Sequence, residues 1–231
     1  MKVIAVVPAR GGSRGIPHKN IAPLAGQPLI AYTLAAAKAA QSLDRVVVST
    51  DDADIAEVCR SLGAEVLMRP SELADDRATT HAVLLHVVEA LAADGYHPDA
   101  VMTLQPTSPL RTARHIDEAA AMFAANPEAD SLVSCVPVPH VYHPFSAMRL
   151  KKDGCLEPFV DAPQPTRRQD KEPAYARNGA AVYITRTERL ADYIFGGRLI
   201  PYLMSAEDSI DIDCPDDLVV AERQLYGRGS A

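Results

Sequence analysis

Hydrophobic and polar positions along this chain switch repeatedly between the two periods that mark strands and helices. A short apolar run, Lys2–Val7, reads as a buried strand, and a Gly- and Pro-rich loop follows it to Gly26. From Gln27 to Gln41 the apolar positions Leu29, Ile30, Thr33, Leu34 and Ala37 recur at helical spacing. The β-branched run Arg45–Ser49 predicts a second strand. Asp52–Leu62 predicts a helix opened by acids and stopped by Gly63, and Glu65–Leu67 a third strand. Helices over Thr79–Ala93 and Thr112–Ala125 then alternate with strands over Asp99–Leu104 and Ser131–Val136. This rhythm predicts an α/β fold with a mostly parallel, doubly wound sheet, helices covering both faces. Ligands on such sheets sit beyond the carboxyl ends of the strands, which groups the loops after Val7, Ser49 and Leu104.

After Val136 the rhythm breaks at Pro137, Pro139 and Pro144. Two strand-like pieces, Ser146–Leu150 and Leu156–Val160, flank Lys151-Lys152-Asp153-Gly154, where Asp-Gly favours a β-hairpin. Polar and Pro-rich flanks leave that hairpin little core, so it is expected to pack on a second subunit as a dimerisation excursion over about 137–176. The α/β pattern resumes with Ala180–Ile184, Leu199–Met204 and a helix from about Pro215 to Tyr226. The length suits one domain over 1–231 with that excursion.

Composition narrows the class. Hydrophobic residues make up 48% of the chain, enough for a core without covalent staples. The four cysteines lie far apart, without metal or redox spacing, and read as thiols of a reducing compartment. No apolar run suits a signal peptide or a membrane span, so a cytoplasmic location without a membrane partner is expected. Absence of Trp and a net charge of −7 argue against nucleic acid as a partner. The charge is unevenly spread: Met1 to Leu43 holds five Lys or Arg residues, and the first acid is Asp44. A stretch cleared of carboxylates in an acidic protein makes room for an anion.

The loop Pro8-Ala9-Arg10-Gly11-Gly12-Ser13-Arg14-Gly15-Ile16-Pro17-His18-Lys19-Asn20 joins a strand to a helix. Glycines such as Gly11 and Gly12 let backbone N–H groups converge on phosphate oxygens, and Arg10, Arg14 and Lys19 add fixed positive charge. The spacing is neither that of a Walker A loop nor that of the dinucleotide fingerprint. Near the other end, Ser209-Ile210-Asp211-Ile212-Asp213 alternates, which places two carboxylates on one side of an extended chain. Such a pair suits a hard cation such as Mg²⁺ bridging to substrate phosphates. The same residues are also compatible with a surface acid pair leading into the last helix, whose first turn holds Asp216 and Asp217.

The first loop resembles the signature loop of the acylneuraminate cytidylyltransferases, the CMP-sialic acid synthetase family. Further matches run in family order along nearly the whole chain: Arg69–Ala74 with Asp75–Thr79, Gln105–Arg111, Arg168-Gln169, Asn178-Gly179-Ala180 and Asp211-Ile212-Asp213. The resemblance implies that Arg10, Gly11, Gly12, Ser13, Lys19, Asn20, Arg69 and Thr79 meet the nucleotide. It puts Gln105, Arg168, Gln169 and Asn178 against an acidic sugar, and makes Asp211 and Asp213 ligands of Mg²⁺, or of Mn²⁺ in its place. Transfer of CMP from CTP to the anomeric hydroxyl of a nonulosonic acid, with release of pyrophosphate, is the implied reaction. Lys19, Arg10, Asp211 and Asp213 are its implied catalytic groups. The alternatives are a cytidylyltransferase for a Kdo-like acid or a phosphonate, a metal-dependent glycosyltransferase, and a non-catalytic nucleotide-binding module.

Overall fold

Val3, Ala5 and Val7 face one side of the first strand and Ile4 and Val6 the other, and all five are buried. A strand apolar on both faces must be covered twice, which is the physical origin of the layered architecture. The computed structural model describes residues 1–13, 15–73, 79–163 and 167–228. Arg14 and 74–78 lie outside the described residues, as does the side chain of Arg168.

In chain order the elements are β1 (Val3–Pro8), β2 (Pro23–Leu24), β3 (Gln27–Pro28), α1 (Leu29–Ala39), β4 (Arg45–Thr50), α2 (Ala53–Ser61) and β5 (Glu65–Met68). Then come α3 (Thr80–Ala93), β6 (Ala100–Thr103), α4 (Ala113–Ala124), β7 (Ser131–Pro137), β8 (Met148–Leu150) and β9 (Leu156–Pro158). The chain closes with β10 (Tyr175–Arg177), β11 (Tyr183–Arg186), β12 (Leu199–Leu203) and α5 (Pro215–Arg228).

The main sheet has eight strands. β5, β4, β1 and β6 run parallel, β11 is antiparallel between β6 and β7, and β12 lies parallel along the other edge of β7. One face packs on α1, α2 and α4 through residues such as Leu34, Ile55 and Phe123; the other packs on α3 through Leu84, Val87 and Leu91. The mostly parallel, doubly wound sheet expected from the alternation is therefore present.

Strand ends shift by one or two residues in places, such as Met148 for Ser146, and two differences bear on the site. The first helix begins at Leu29, because Gln27-Pro28 pairs with Pro23-Leu24 in a small ribbon turned by Ala25 and Gly26, both at positive φ. The expected strand over Ala180–Ile184 starts instead at Tyr183, after a separate short strand, β10. Register gives the reason. Arg177 faces Cys135 and Tyr183 faces Val133, so six steps along one strand oppose two on β7. Residues 178–182 are thrown out of the ladder as a wide bulge at the carboxyl end of the parallel strands.

The excursion contains the expected hairpin, β8 on β9, turned at Gly154 with φ 82°. Its apolar side chains Met148, Leu150 and Leu156 are exposed, as are Val141, Tyr142 and Phe159 nearby.

Candidate functional site

The loop after β1 runs over the carboxyl edge of the sheet and is held at several points. Asn20 is buried, and its Nδ2 donates to the Arg10 carbonyl at 2.9 Å, which closes the loop on itself. Gly11 passes so close to the start of α2 that a Cβ there would fall 2.3 Å from Asp52 Oδ2. Asp52 caps α2 as its position suggested, accepting from the N–H groups of Asp54 and Ile55. His18 adopts a left-handed backbone, φ 47°, and turns the chain into the short helix Lys19–Ile21 that presents Lys19.

A small apolar cluster brings the two ends of the chain together. Ile16 from the loop and Ile212 from the segment before α5 are buried with Leu24, Leu29 and Ala221. Consequently Lys19 Nζ donates to the Ile212 carbonyl at 2.9 Å and to Asp213 Oδ1 at 3.1 Å. Gly15 makes room for this approach, since a Cβ there would lie 2.4 Å from the Asp213 carbonyl oxygen. The Ile212 N–H donates to the Thr107 carbonyl at 2.8 Å, tying the same segment to the loop after β6.

Asp211 and Asp213 sit in different surroundings. The Asp213 side chain is 79% exposed, whereas Asp211 lies against the bulge, where a Cβ added at Gly179 (φ 70°) would fall only 2.7 Å from Asp211 Oδ2. Burial raises the Asp211 carboxyl from its ordinary value; the nearby Thr107 hydroxyl and the charge of Lys19 oppose the shift, and the charge of Asp213 reinforces it. Asp211 Oδ1 is buried without a hydrogen-bond partner. An orphaned, desolvated carboxylate oxygen beside a second carboxylate fits a hard cation, which would satisfy both. Among the described residues no group of three or more His, Cys, Asp or Glu could hold a metal ion. A two-carboxylate site suits Mg²⁺, which keeps several waters and takes substrate phosphates as further ligands.

Beside Lys19 lies a cleft of about 480 Å³, whose lining includes neither Asp211 nor Asp213. Arg10, Ser13, Lys19 and Asn20 line one side of it, and Arg69, Thr79, Thr80 and Val83 another. Arg69 is 8% exposed and is held by Asp51, whose Oδ1 accepts from Nε at 3.1 Å and from Nη2 at 2.6 Å. Thr79 both lines the cleft and caps α3, its hydroxyl accepting from the Ala82 N–H at 3.2 Å. Gln105, Pro106 and Thr107 form the remaining wall, and the Gln105 N–H donates to the Ala180 carbonyl of the bulge at 3.0 Å.

The expected sugar-side residues are placed less uniformly. Gln105 lines the cleft. Asn178 is buried behind it, its Nδ2 donating to Ser209 Oγ at 2.8 Å, which ties the bulge to the chain leading to Asp211. Gln169 is exposed and outside the cleft lining, on the short helix Arg168–Asp170. His143 has both ring nitrogens engaged inside the excursion. Nε2 meets the Glu172 carbonyl at 2.9 Å, and Nδ1 accepts from the Phe145 N–H at 3.2 Å. Asp51 and Thr107 were not singled out as site residues; each acts through main-chain or ion-pair contacts that bridge distant segments and leave no local signal.

This sheet, with its cleft across the carboxyl edge, is the nucleotidyltransferase fold. The same fold is found in CMP:2-keto-3-deoxy-manno-octonic acid synthetase complexed with CTP, at TM-score 0.75 and 17% identity over 99% of this chain and 100% of that one. It also matches 4-diphosphocytidyl-2C-methyl-D-erythritol synthase from Anaerococcus prevotii, at TM-score 0.64 and 11% identity over 97% and 96%. More specifically, the chain belongs to the cytidylyltransferase family, whose model matches residues 4–219. It is 35% identical to the N-acylneuraminate cytidylyltransferase of Streptococcus agalactiae serotype V, over 98% of this chain and 54% of that protein. It is 33% identical to the CMP-N,N'-diacetyllegionaminic acid synthase of Legionella pneumophila, over 97% of each. The chain spans about half the length of the N-acylneuraminate cytidylyltransferases it matches. No helix among the described residues is long and apolar enough to cross a membrane.

Proposed function

We propose that this protein transfers CMP from CTP to the anomeric hydroxyl of a nonulosonic, sialic acid-like sugar acid, releasing pyrophosphate. The observation that carries this reading is the meeting of Lys19 with Asp213 at 3.1 Å, at the end of a cleft also lined by Arg69 and Gln105. A cationic phosphate loop and a polar acceptor wall then line one cavity, and Asp213 is joined to it through Lys19. Family membership and the names of the relatives support the same reaction class.

In this reading the acceptor oxygen attacks the α-phosphorus, a new P–O bond forms, and the bond to the β-phosphate breaks. Phosphoryl chemistry of this kind needs positioning and charge neutralisation more than covalent assistance. Lys19 and Arg10 neutralise the phosphates, with Gly11, Gly12, Ser13 and Asn20 shaping the loop around them. Arg69, held by Asp51, and Thr79 form the nucleobase wall, and Gln105 orients the acceptor. Asp211 and Asp213 would hold Mg²⁺, which when bound supplies charge neutralisation at the triphosphate. The acceptor hydroxyl gives up its proton to one of the two aspartates as the P–O bond forms, and pyrophosphate leaves.

The excursion packs on a second copy of the chain in this reading. Its exposed Tyr142, Leu150, Leu156 and Phe159, each more than half exposed, are supported as an interface by their density on a hairpin without a core of its own.

The test is incubation with Mg²⁺, each nucleoside triphosphate in turn and a panel of 3-deoxy nonulosonic acids, reading pyrophosphate and product mass. Pyrophosphate with CTP and one acid, together with a CMP-sugar of matching mass, is the expected result. Binding of CTP without turnover of any acid would move the reading to a phosphonate acceptor or a non-catalytic module.

A further inference from the structure

The bulge at 178–182 leaves the sheet ladder, so its buried main-chain groups need partners elsewhere. Ala180 and Val182 find them nearby: the Ala180 carbonyl accepts from the Gln105 N–H, and Val182 exchanges two bonds of 2.9 Å with Ser134. Ala181, fully buried, is served differently. Its carbonyl accepts from Arg111 Nη1 at 2.8 Å.

Arg111 is 2% exposed, and no carboxylate pairs with it among the described residues. The same Nη1 donates to the Gln105 carbonyl at 3.2 Å, and Nη2 donates to Thr33 Oγ1 at 2.6 Å. Burial alone pushes its pKa down to about 9, a measure of how unfavourable the site is for a charge. With no counter-charge among the described residues, the guanidinium is held by these hydrogen bonds. The three acceptors belong to three different parts of the cleft's frame: α1, the loop after β6, and the bulge. Only a planar fork with several fixed donors reaches all three at once.

We propose that Arg111 is a positioning residue for the acceptor side of the cleft, its guanidinium fixing Gln105 and the 178–182 bulge relative to each other and to α1. The bulge carries Asn178 and Gly179, which border Ser209 and Asp211, so the brace also sets where the aspartate segment stands. The inference rests on the reading that the acceptor lies against Gln105. It assigns Arg111 no contact with substrate.

The test uses the full chain with Arg111→Lys, Arg111→Met and Thr33→Val, each checked for folding by thermal unfolding. Hydrogen exchange in peptides covering 178–182 is expected to accelerate about tenfold or more in Arg111→Lys, while 8–20 exchanges as in the parent. The acceptor KM is expected to rise about tenfold, with the CTP KM held within about threefold. Thr33→Val, which keeps the charge and removes one acceptor, is expected to move both readouts in the same direction by less. Parent-like exchange at 178–182 in folded Arg111→Lys overturns the proposal, as does a CTP KM that rises in step with the acceptor KM. If the parent protein turns over no acid, the functional reading fails, and the exchange experiment still decides whether Arg111 braces the bulge.

Discussion

Lys19 Nζ stands 3.1 Å from Asp213 Oδ1, joining the loop after the first strand to the segment before the last helix. The pair is uneven: the lysine side chain is 16% exposed and the aspartate 79%. An ion pair so open to water adds at most about 1 kcal/mol to stability. In the proposed reaction its value would lie in holding a cation where phosphates arrive. Lys19→Met is therefore expected to leave the unfolding midpoint nearly unchanged while lowering pyrophosphate release by about 10²–10³-fold. A variant that unfolds at a much lower temperature, or one that keeps parent turnover, would contradict this account.

Asp211 carries a cost that Asp213 does not. Its half-buried carboxylate has one buried oxygen without a partner and a second negative charge nearby. Replacing it with the neutral isostere removes that cost when no divalent cation is present. Asp211→Asn is expected to raise the denaturant midpoint measured in EDTA while lowering turnover at least about a hundredfold. Stability lost in EDTA would show that the carboxylate is not held under strain.

The layered sheet was legible because Val3–Val7, Arg45–Ser49 and Asp99–Leu104 are apolar runs of strand length separated by helical periods. The site was legible in part. The basic loop and the alternating aspartates stood out by composition, whereas the burial difference between Asp211 and Asp213 depends on Gly179 and Ile212, which reach them through the fold. Ala180-Ala181-Val182 reads as strand because it is apolar, yet it forms the bulge. Its carbonyls are satisfied by Gln105 and Arg111, partners that no local pattern announces. Arg111 itself ended a recognisable motif and carried no sign that its side chain points inward.

Among the cysteines, Cys59 and Cys135 are buried and Cys155 and Cys214 exposed, none in a disulfide. Burial pushes the Cys59 thiol up to about 11. A thiol whose folded pKa is raised favours the protonated fold, so its contribution is complete below the unfolded value and is lost as pH rises through about 11. Brief iodoacetamide treatment of the native protein is expected to label Cys155 and Cys214 only, read by mass spectrometry. Denaturant midpoints are expected to fall as pH rises through that window, and to fall less in Cys59→Val.

Leu150 and Leu156 face each other across the hairpin, 71% and 62% exposed. If a second copy covers them, a charge there is expensive in the assembly and harmless in the isolated chain. Leu156→Glu is expected to shift sedimentation from dimer to monomer without lowering the unfolding midpoint measured at low protein concentration. A parent protein that sediments as a monomer throughout would remove the excursion from the interface.

At Gly179 the backbone conformation and the aspartate site constrain each other directly. Its φ of 70° lies where L side chains are strained, and an added Cβ would fall 2.7 Å from Asp211 Oδ2 and 2.9 Å from its Cγ. Neither contact can relax by rotating the end of a long side chain, because Asp211 is short and its neighbour Ile212 is anchored in the core. In Gly179→Ala the bulge must move or the carboxylate must. The left-handed backbone alone costs about 1–2 kcal/mol with a Cβ present. The Mg²⁺ concentration for half-maximal turnover is expected to rise about tenfold or more, while CTP binding to the Lys19 loop changes little. Parent-like Mg²⁺ dependence in a folded Gly179→Ala protein would separate Asp211 from the metal, leaving Asp213 and Lys19 to organise the phosphates alone.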